Sequence, residues 1–406
     1  MTAATRQHVL SLASLVRPAT VAEFLDQSWG RGVSVFRHSI AGGDEVLSLS
    51  SFEEVLSTLN RPHEGWLHFA RGGVKPVPAE MVDSQGLLKL EMLRRAFVLG
   101  ETLYLTKAER ICAPLMHIAR SVELELLAYG VLLRESVNAH VFLTPPRSQG
   151  FPAHRDEHAS FILQLDGCKE WTVYEPASAS AVGADGPLRP GAVASDALQD
   201  YRACTYALQK GDVLYMPEWW PHEARAADAH SLHVTLRIFP LRWTDLAITL
   251  LSRHPGLTDA LPRFAARCPE ELTAVLFERV SSPDFQQGIA LQVGSVLRER
   301  SAPQTVLPSD GFRQVLNVHS IAPDTPLVRS AGVVCRIEED GSEAWIVFPG
   351  GIIRGPVSMK PVFTFVAETL ELQPKDLPPA TGAEYDRLEA ARMFVTDGLL
   401  RIASSV

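Results

Sequence analysis

The chain has no Cys-x-x-Cys pair, no long apolar run, no excess of basic side chains and no repeat or low-complexity tract. Each absence closes off a class of function. The five cysteines, Cys112, Cys168, Cys204, Cys268 and Cys335, are odd in number and widely spaced, so neither a zinc knuckle nor a redox dithiol is expected. They read as reduced thiols of a cytoplasmic protein. The longest apolar stretch, near residues 128–133, falls far short of the roughly 20 residues that cross a bilayer. A single arginine precedes the short apolar segment 8–16 and no small-residue cleavage site follows it, so no signal peptide is expected. With 38 Lys and Arg against 47 Asp and Glu, the net charge is -9, which argues against a general affinity for phosphate backbones or anionic lipid.

What is present describes a soluble globular protein. The chain has 406 residues, 46% of them hydrophobic and 21% charged, enough for two or three domains. Residues 1–137 read as a helical lead-in with short strands. Thr20 with Glu23 three residues on forms a capping-box pattern, the segment from Ser51 repeats that logic, and 106–133 carries apolar residues at helical spacing. From 138 to 242 the pattern changes to short β-type runs at 140–144, 160–165, 170–174, 203–208, 213–216 and 232–238, with a Gly turn between the second and third. These are barrel or sandwich strands. A Gly/Ala/Pro/Asp-rich stretch at 175–200 reads as an exposed loop. Helical periodicity returns over 243–305. Residues 306–406 contain a hairpin, 333–338 and 343–348 around Glu339-Asp-Gly-Ser342, flanked by helices near 360–370 and 384–396. That is a winged-helix-like order of elements.

One constellation carries chemistry. His154-Arg-Asp156 is the only His-x-acid triplet in the chain, where chance alone would give roughly one or two, so its weight comes from context. Residues i and i+2 of an extended segment face the same way, so His154 and Asp156 can grip one ion. The segment Gly211-Asp-Val-Leu-Tyr-Met-Pro-Glu-Trp-Trp-Pro-His222 supplies a third ligand from a distant strand. Two histidines and a carboxylate leave three adjacent octahedral positions open, which suits an oxygen-activating Fe(II) rather than structural zinc. His158, His230 and His233 compete for the role. His158 lies close in sequence to the first pair, while His233 sits inside a strand and is expected to line the cavity without touching metal. Tyr215, Trp219 and Trp220 either wall the pocket or pack the barrel.

From Leu143 through His154, Asp156 and Phe161 to Tyr174, and again from Gly211 to Pro217 and His222 to Leu236, the chain resembles the JmjC-type 2-oxoglutarate oxygenases of the ribosomal-oxygenase kind. The resemblance implies an α+β fold: a double-stranded β-helix (cupin or jelly-roll) core, a helical dimerisation segment and an acidic winged-helix-like domain. It implies Fe(II) as metal and 2-oxoglutarate as cosubstrate, with Lys169 as the cation for the far carboxylate. Arg237 is a second candidate cation, sharing its alternation with His233 and Thr235, and Thr144 is a further candidate cosubstrate contact. The chain departs from the family at His140 and Phe142, where an Asn and a Tyr are usual, and this draws a ribosomal-protein substrate into question.

The expected function is hydroxylation of an amino-acid side chain in a protein or peptide, with succinate and CO2 as co-products, by a homodimer that binds neither nucleic acid nor membrane. Hydroxylation of a small metabolite or modified peptide in a biosynthetic pathway, and N-methyl-lysine demethylation, use the same residues. A cupin-type DNA-binding regulator is the alternative from another class. Against it, 307–406 holds nine Lys and Arg and thirteen Asp and Glu, where a recognition helix needs a basic face.

Overall fold

The structure is a computed structural model that describes residues 10–40, 46–59, 65–176, 190–199, 201–254, 257, 269–301, 311–329, 335–348, 351–380 and 386–403. It divides into two units, 1–129 with 135–239, and 130–134 with 240–406. No helix among the described residues is long and apolar enough to cross a membrane.

The first unit opens with helices that begin where their caps dictate. Glu23 N donates to Thr20 Oγ1 at 3.2 Å, and Thr20 N donates back to Glu23 Oε2 at 2.8 Å, starting Val21–Gln27. In the next helix, Leu49–Thr58, the cap is Ser48, and Ser51 closes the box from the third helical position. The expected start at Ser51 is thus corrected by three residues, because either serine supplies a cap oxygen but Ser48 holds the extended backbone. The long helical pattern at 106–133 forms a shorter helix, Ala113–Ala128, with proline in its first turn and a 3-10 turn, Ala108–Arg110, ahead of it.

The rest of the unit is a large curled antiparallel sheet: β1 Ser34–Phe36, β2 Leu67–Ala70, β3 Val74–Pro76, β4 Thr102–Leu105, β5 Leu133–Thr144, β6 His154–Arg155, β7 Ala159–Pro176, β8 Gly191–Ala192, β9 Tyr201–Gln209, β10 Val213–Met216, β11 His222–Arg225 and β12 Ser231–Pro240. Its path is β3-β2-β4-β5-β12-β7-β11-β6-β8, with β9 and β10 also on β7 and β1 on β10. The strands at 160–165 and 170–174 prove to be one strand, β7, rather than two joined by a Gly turn. Its first half pairs with β10 and β12 and its second with β9 and β11, so this strand carries the sheet around its curl.

The curl has a local cause. β12 runs Leu232 opposite Asp166 but His233 opposite Gln164, so β7 holds one extra residue at a bulge. Two residues on, Gly167 has φ +64°, and a Cβ there would sit 1.9 Å from the His230 carbonyl oxygen. The bulge flips side-chain parity: Ser160 and Ile162 before it and Lys169 and Trp171 after it all line one cavity.

β5 is fixed by two buried carboxylates. Glu123 Oε2 accepts from Val137 N at 3.1 Å and from Arg120 Nη1 at 2.8 Å, and Glu109 Oε2 accepts from Ala139 N at 2.9 Å. Both are acceptors of buried donors that would otherwise cost about 1–3 kcal/mol each. Of the alternate residues of this strand, His140 and Phe142 line the cavity, while Val137, Ala139 and Val141 are fully buried. Phe24 plugs the opposite side, its ring 4.8 Å from Tyr215 and 5.4 Å from Phe161.

The second unit contains the helices Trp243–Arg253, Pro269–Ser281 and Pro283–Ser301, followed by two three-stranded sheets. Arg336–Glu339 and Glu343–Phe348 form the expected hairpin, its turn closed by Asp340 N donating to Glu343 O, and a further strand, Gly351–Pro356, adds to it. The start of the expected first hairpin strand and the residues 384 and 385 lie outside the described residues. Helices Lys360–Glu368 and Arg387–Thr396 bury Phe363 and Phe394 against each other at 6.2 Å.

Candidate active site

Strand alternation builds one cavity of about 800 Å³, open mouth included. β5 contributes His140 and Phe142, β12 His233, Thr235 and Arg237, β11 His222 and Ala224, and β4 Thr102 and Tyr104. Each set is spaced by two, as one face of a strand requires.

His154, Asp156 and His222 converge within this cavity, with one ligand atom of each lying within 4.8 Å of the others. Asp156 Oδ2 is 3.8 Å from His154 Nε2 and 3.6 Å from His222 Nε2. The two histidines are directly opposite in the β6–β11 pair, which is how strands 68 residues apart in sequence bring two rings to 4.3 Å. Each ring turns its Nδ1 to a backbone carbonyl two residues upstream: His154 to Pro152 O at 2.9 Å and His222 to Trp220 O at 3.0 Å. A carbonyl only accepts, so Nδ1 carries the hydrogen and Nε2 keeps its lone pair toward the cavity. That is the orientation a metal-ligating histidine needs.

Electrostatics agree. Burial drives the His222 imidazolium down to about 3, aided by neighbouring His154, so this ring is neutral. Burial alone would raise Asp156, but His158, His222, His154 and Arg237 hold its carboxyl at about 2. A carboxylate beside two imidazole nitrogens is the donor set of a divalent cation, and these residues fit one.

His158 approaches Asp156 more closely than expected, with Nε2 3.5 Å from Oδ2. Its Nδ1 faces Ser160 Oγ at 3.0 Å, and burial lowers its pKa to about 4. It stays outside the mutually close ligand set. His230 pairs with Asp166 at 3.1 Å away from the cavity, while His233 lines it, stacked on Phe142 at 4.7 Å and edge-on to Trp171 at 5.4 Å.

Lys169 lines the cavity, its Nζ donating to Thr144 Oγ1 at 3.0 Å. Lys169 is only 5% exposed, and among the described residues no carboxylate lies within ion-pair distance of it. Burial pulls its ammonium down to about 7. Arg237 lies elsewhere, its Nη1 donating to His140 Nε2 at 3.2 Å and its guanidinium 5.0 Å from the Phe239 ring centroid. The cavity therefore holds two cations in two separate settings.

Of the two alternatives for the aromatic residues beside His222, barrel packing holds for Tyr215 and Trp220. Tyr215 is fully buried on the far face of β10, accepting from Gly30 N at 2.9 Å, and Trp220 packs in a core cluster with Leu208 and Leu214. Neither they nor Trp219 line the cavity; Trp171, Met216 and Phe151 do. Tyr104 was missed altogether. Its ring stacks on Phe142 at 4.5 Å and its hydroxyl lies 2.7 Å from His140 Nδ1. The only sequence signal was the alternation in Thr102-Leu-Tyr-Leu105, within a region that reads as helical.

Comparison with known proteins accords with this picture. The JmjC domain family matches residues 122–246. The chain is 28% identical over 257 residues to the bifunctional lysine-specific demethylase and histidyl-hydroxylase NO66 of Drosophila persimilis, covering 56% of this chain and 31% of that protein. It is 37% identical over 115 residues to ribosomal oxygenase 1 of Gallus gallus, covering 28% of this chain and 19% of that one. It thus spans less than a third of the length of these curated relatives. The X-ray structure of E. coli ycfD superposes with a TM-score of 0.51 at 15% identity, covering 95% of this chain and 98% of that one, a likeness of fold alone. Residues 122–246 are a JmjC domain. Over this domain the chain is similar to ribosomal oxygenases and their histidyl-hydroxylase relatives.

Proposed function

We propose that the chain is an Fe(II)- and 2-oxoglutarate-dependent oxygenase that hydroxylates an amino-acid side chain in a protein or peptide. The observation that carries this reading is the triad: His154, Asp156 and His222 within 4.8 Å of one another, both histidines turned so that Nε2 faces the cavity. These three residues would hold the metal. Iron with 2-oxoglutarate supplies the O2-driven decarboxylation that yields succinate and CO2 and places one oxygen atom on a substrate C–H.

The chain's own residues do the rest. Lys169, with Thr144 beside it, binds the carboxylate of 2-oxoglutarate that the metal does not take, a charge-assisted pair in a dry site. Trp171 and Phe142 wall that end, and His233 fills the gap between them. Phe151, 5.4 Å from His154, excludes water beside the ligands. Anaerobic Fe(II)/2-oxoglutarate difference spectroscopy tests the reading: wild type shows a charge-transfer band and His222→Ala does not. No band in wild type overturns it.

N-methyl-lysine demethylation is the second reading, favoured by the name of the NO66 relatives. Mass spectrometry of modified peptides separates the two, since one adds an oxygen and the other removes a methyl group. For the remainder, we propose that 1–242 form the catalytic domain, 243–305 a dimerisation segment and 306–406 an acidic winged-helix-like domain that binds no nucleic acid. Exposed Trp243 and Ile248 on the first of these helices and Phe277 on the second support a helical interface. Light scattering coupled to size exclusion measures the dimer, which Trp243→Glu with Phe277→Glu would dissociate.

A further inference from the structure

The Arg237 end of the cavity has donors and a charge that the oxygenase reading leaves unused. Arginine has no acceptor, so the 3.2 Å contact between Arg237 Nη1 and His140 Nε2 requires a lone pair on Nε2. Burial lowers the pKa of His140 and keeps this ring neutral, so its single hydrogen is on Nδ1. Nδ1 therefore donates to the Tyr104 oxygen 2.7 Å away. Having accepted that bond, Tyr104 retains its own O–H for the cavity it lines. Burial raises this phenol to about 12, so it remains a donor at any physiological pH. The ring is held flat on Phe142, with an interplanar angle of 10°.

The charges point the same way. A divalent metal, the Asp156 carboxylate, a dicarboxylate cosubstrate and a protonated Lys169 cancel. The Arg237 guanidinium does not: among the described residues it forms no ion pair with a carboxylate, and Asp156 feels it only beyond ion-pair distance. Nor is the cosubstrate available, because one of its carboxylates goes to the metal and the other to Lys169. The two cations are also apart: Thr144 and His140 are four residues apart on β5, as are His233 and Arg237 on β12, on the order of 13 Å along each strand.

We infer that Arg237 and Tyr104, positioned by His140, form a substrate subsite that takes a carboxylate, so that the oxidised residue belongs to an acidic peptide segment. This rests on the oxygenase reading and names its substrate class. Arg237 supplies a planar fork and Tyr104 a second donor, a match to carboxylate rather than to a cation or an apolar group. The residue that replaces the usual asparagine, His140, is a positioning residue: it orders two donors without contacting the substrate.

The test uses the full chain loaded with Mn(II) and the inert analogue N-oxalylglycine, exposed to a randomised peptide library, with retained peptides read by mass spectrometry. Wild type is expected to enrich Asp and Glu at least fivefold over the input, although a net charge of -9 repels acidic peptides in general. Arg237→Gln loses the enrichment, Arg237→Lys keeps part of it, and Arg237→Glu turns it toward Lys and Arg. His140→Leu weakens it. No acidic enrichment in wild type, or enrichment unchanged in Arg237→Gln, overturns the proposal. In parallel, anaerobic titration with 2-oxoglutarate shows that each variant is folded and loaded. The Kd of Arg237→Gln is expected within twofold of wild type; a loss of cosubstrate binding assigns Arg237 to 2-oxoglutarate and overturns the subsite. Absence of cosubstrate binding in wild type instead refutes the oxygenase reading, while the library still reports on Arg237.

Discussion

Lys169 makes the proposed cosubstrate site measurable by its protons. The ammonium is pulled from 10.5 to about 7 by burial, with no anion beside it. At pH 8 the free site thus carries only ~0.1 proton, whereas a bound carboxylate restores the charge and with it nearly a whole proton. Binding 2-oxoglutarate to the Mn(II)-loaded protein should take up ~0.9 proton at pH 8 and ~0.1 at pH 6. The sign follows: the complex binds more protons than the free site, so affinity falls as pH rises, by up to about tenfold per unit above 7. Calorimetric titrations in phosphate and in Tris separate the uptake, because the buffers release protons with different heats. Lys169→Met should abolish the uptake and weaken binding by roughly 3 kcal/mol, the loss expected for one partner of a buried charge pair. Equal apparent enthalpies in the two buffers at pH 8, or wild-type affinity in Lys169→Met, would refute the assignment.

The same group acts on stability. Its folded pKa lies below the unfolded one, so the unfolded chain binds the extra proton between about 7 and 10.5, and the free protein should become more stable with rising pH by ~1.4 kcal/mol per unit in that window. Urea denaturation of Lys169→Met should lack this slope. Metal binding should raise the thermal midpoint, by the equivalent of ~2.7 kcal/mol at a hundredfold excess over Kd, and Asp156→Asn should abolish the rise while folding as wild type by circular dichroism. Gly167→Ala forces a Cβ to 1.9 Å from the His230 carbonyl and should cost roughly 3 kcal/mol or more, read by chemical denaturation; a loss under 1 kcal/mol contradicts the close approach. Phe24→Ala empties the aromatic plug beneath the sheet and should cost roughly 3–5 kcal/mol, without moving the cosubstrate Kd.

The convergence of His154, Asp156 and His222 was legible because the information is local. His154 and Asp156 share a face by the geometry of an extended segment, and His222 follows a turn and strand that the sequence spells out. Lys169 was legible only by resemblance: alternation counted from Ser160 and Ile162 would have aimed it away from the cavity, and the extra residue at the bulge reverses that. The Gly167 signal was read as a turn because a left-handed glycine looks the same in sequence whether a strand ends or bends there. For Tyr215 and Trp220 the sequence left two alternatives open for another reason. Aromatic composition near His222 says nothing of which face of a strand a ring occupies, and for Tyr215 the neighbours on its face, Phe24 and Trp29, lie nearly two hundred residues earlier. Tyr104 could not have been found, since its role is defined by contacts with His140 and Phe142 on another strand.

His154 and His222 are both oriented by carbonyls only two residues behind them, at Pro152 and Trp220. The tautomer is thus written into two short stretches of backbone and owes nothing to the cavity's remaining side chains. Substitutions at Phe142 or Tyr104 can therefore reshape the cavity without turning either ring. The shape of the cavity and the orientation of the two rings are thereby separable in mutagenesis.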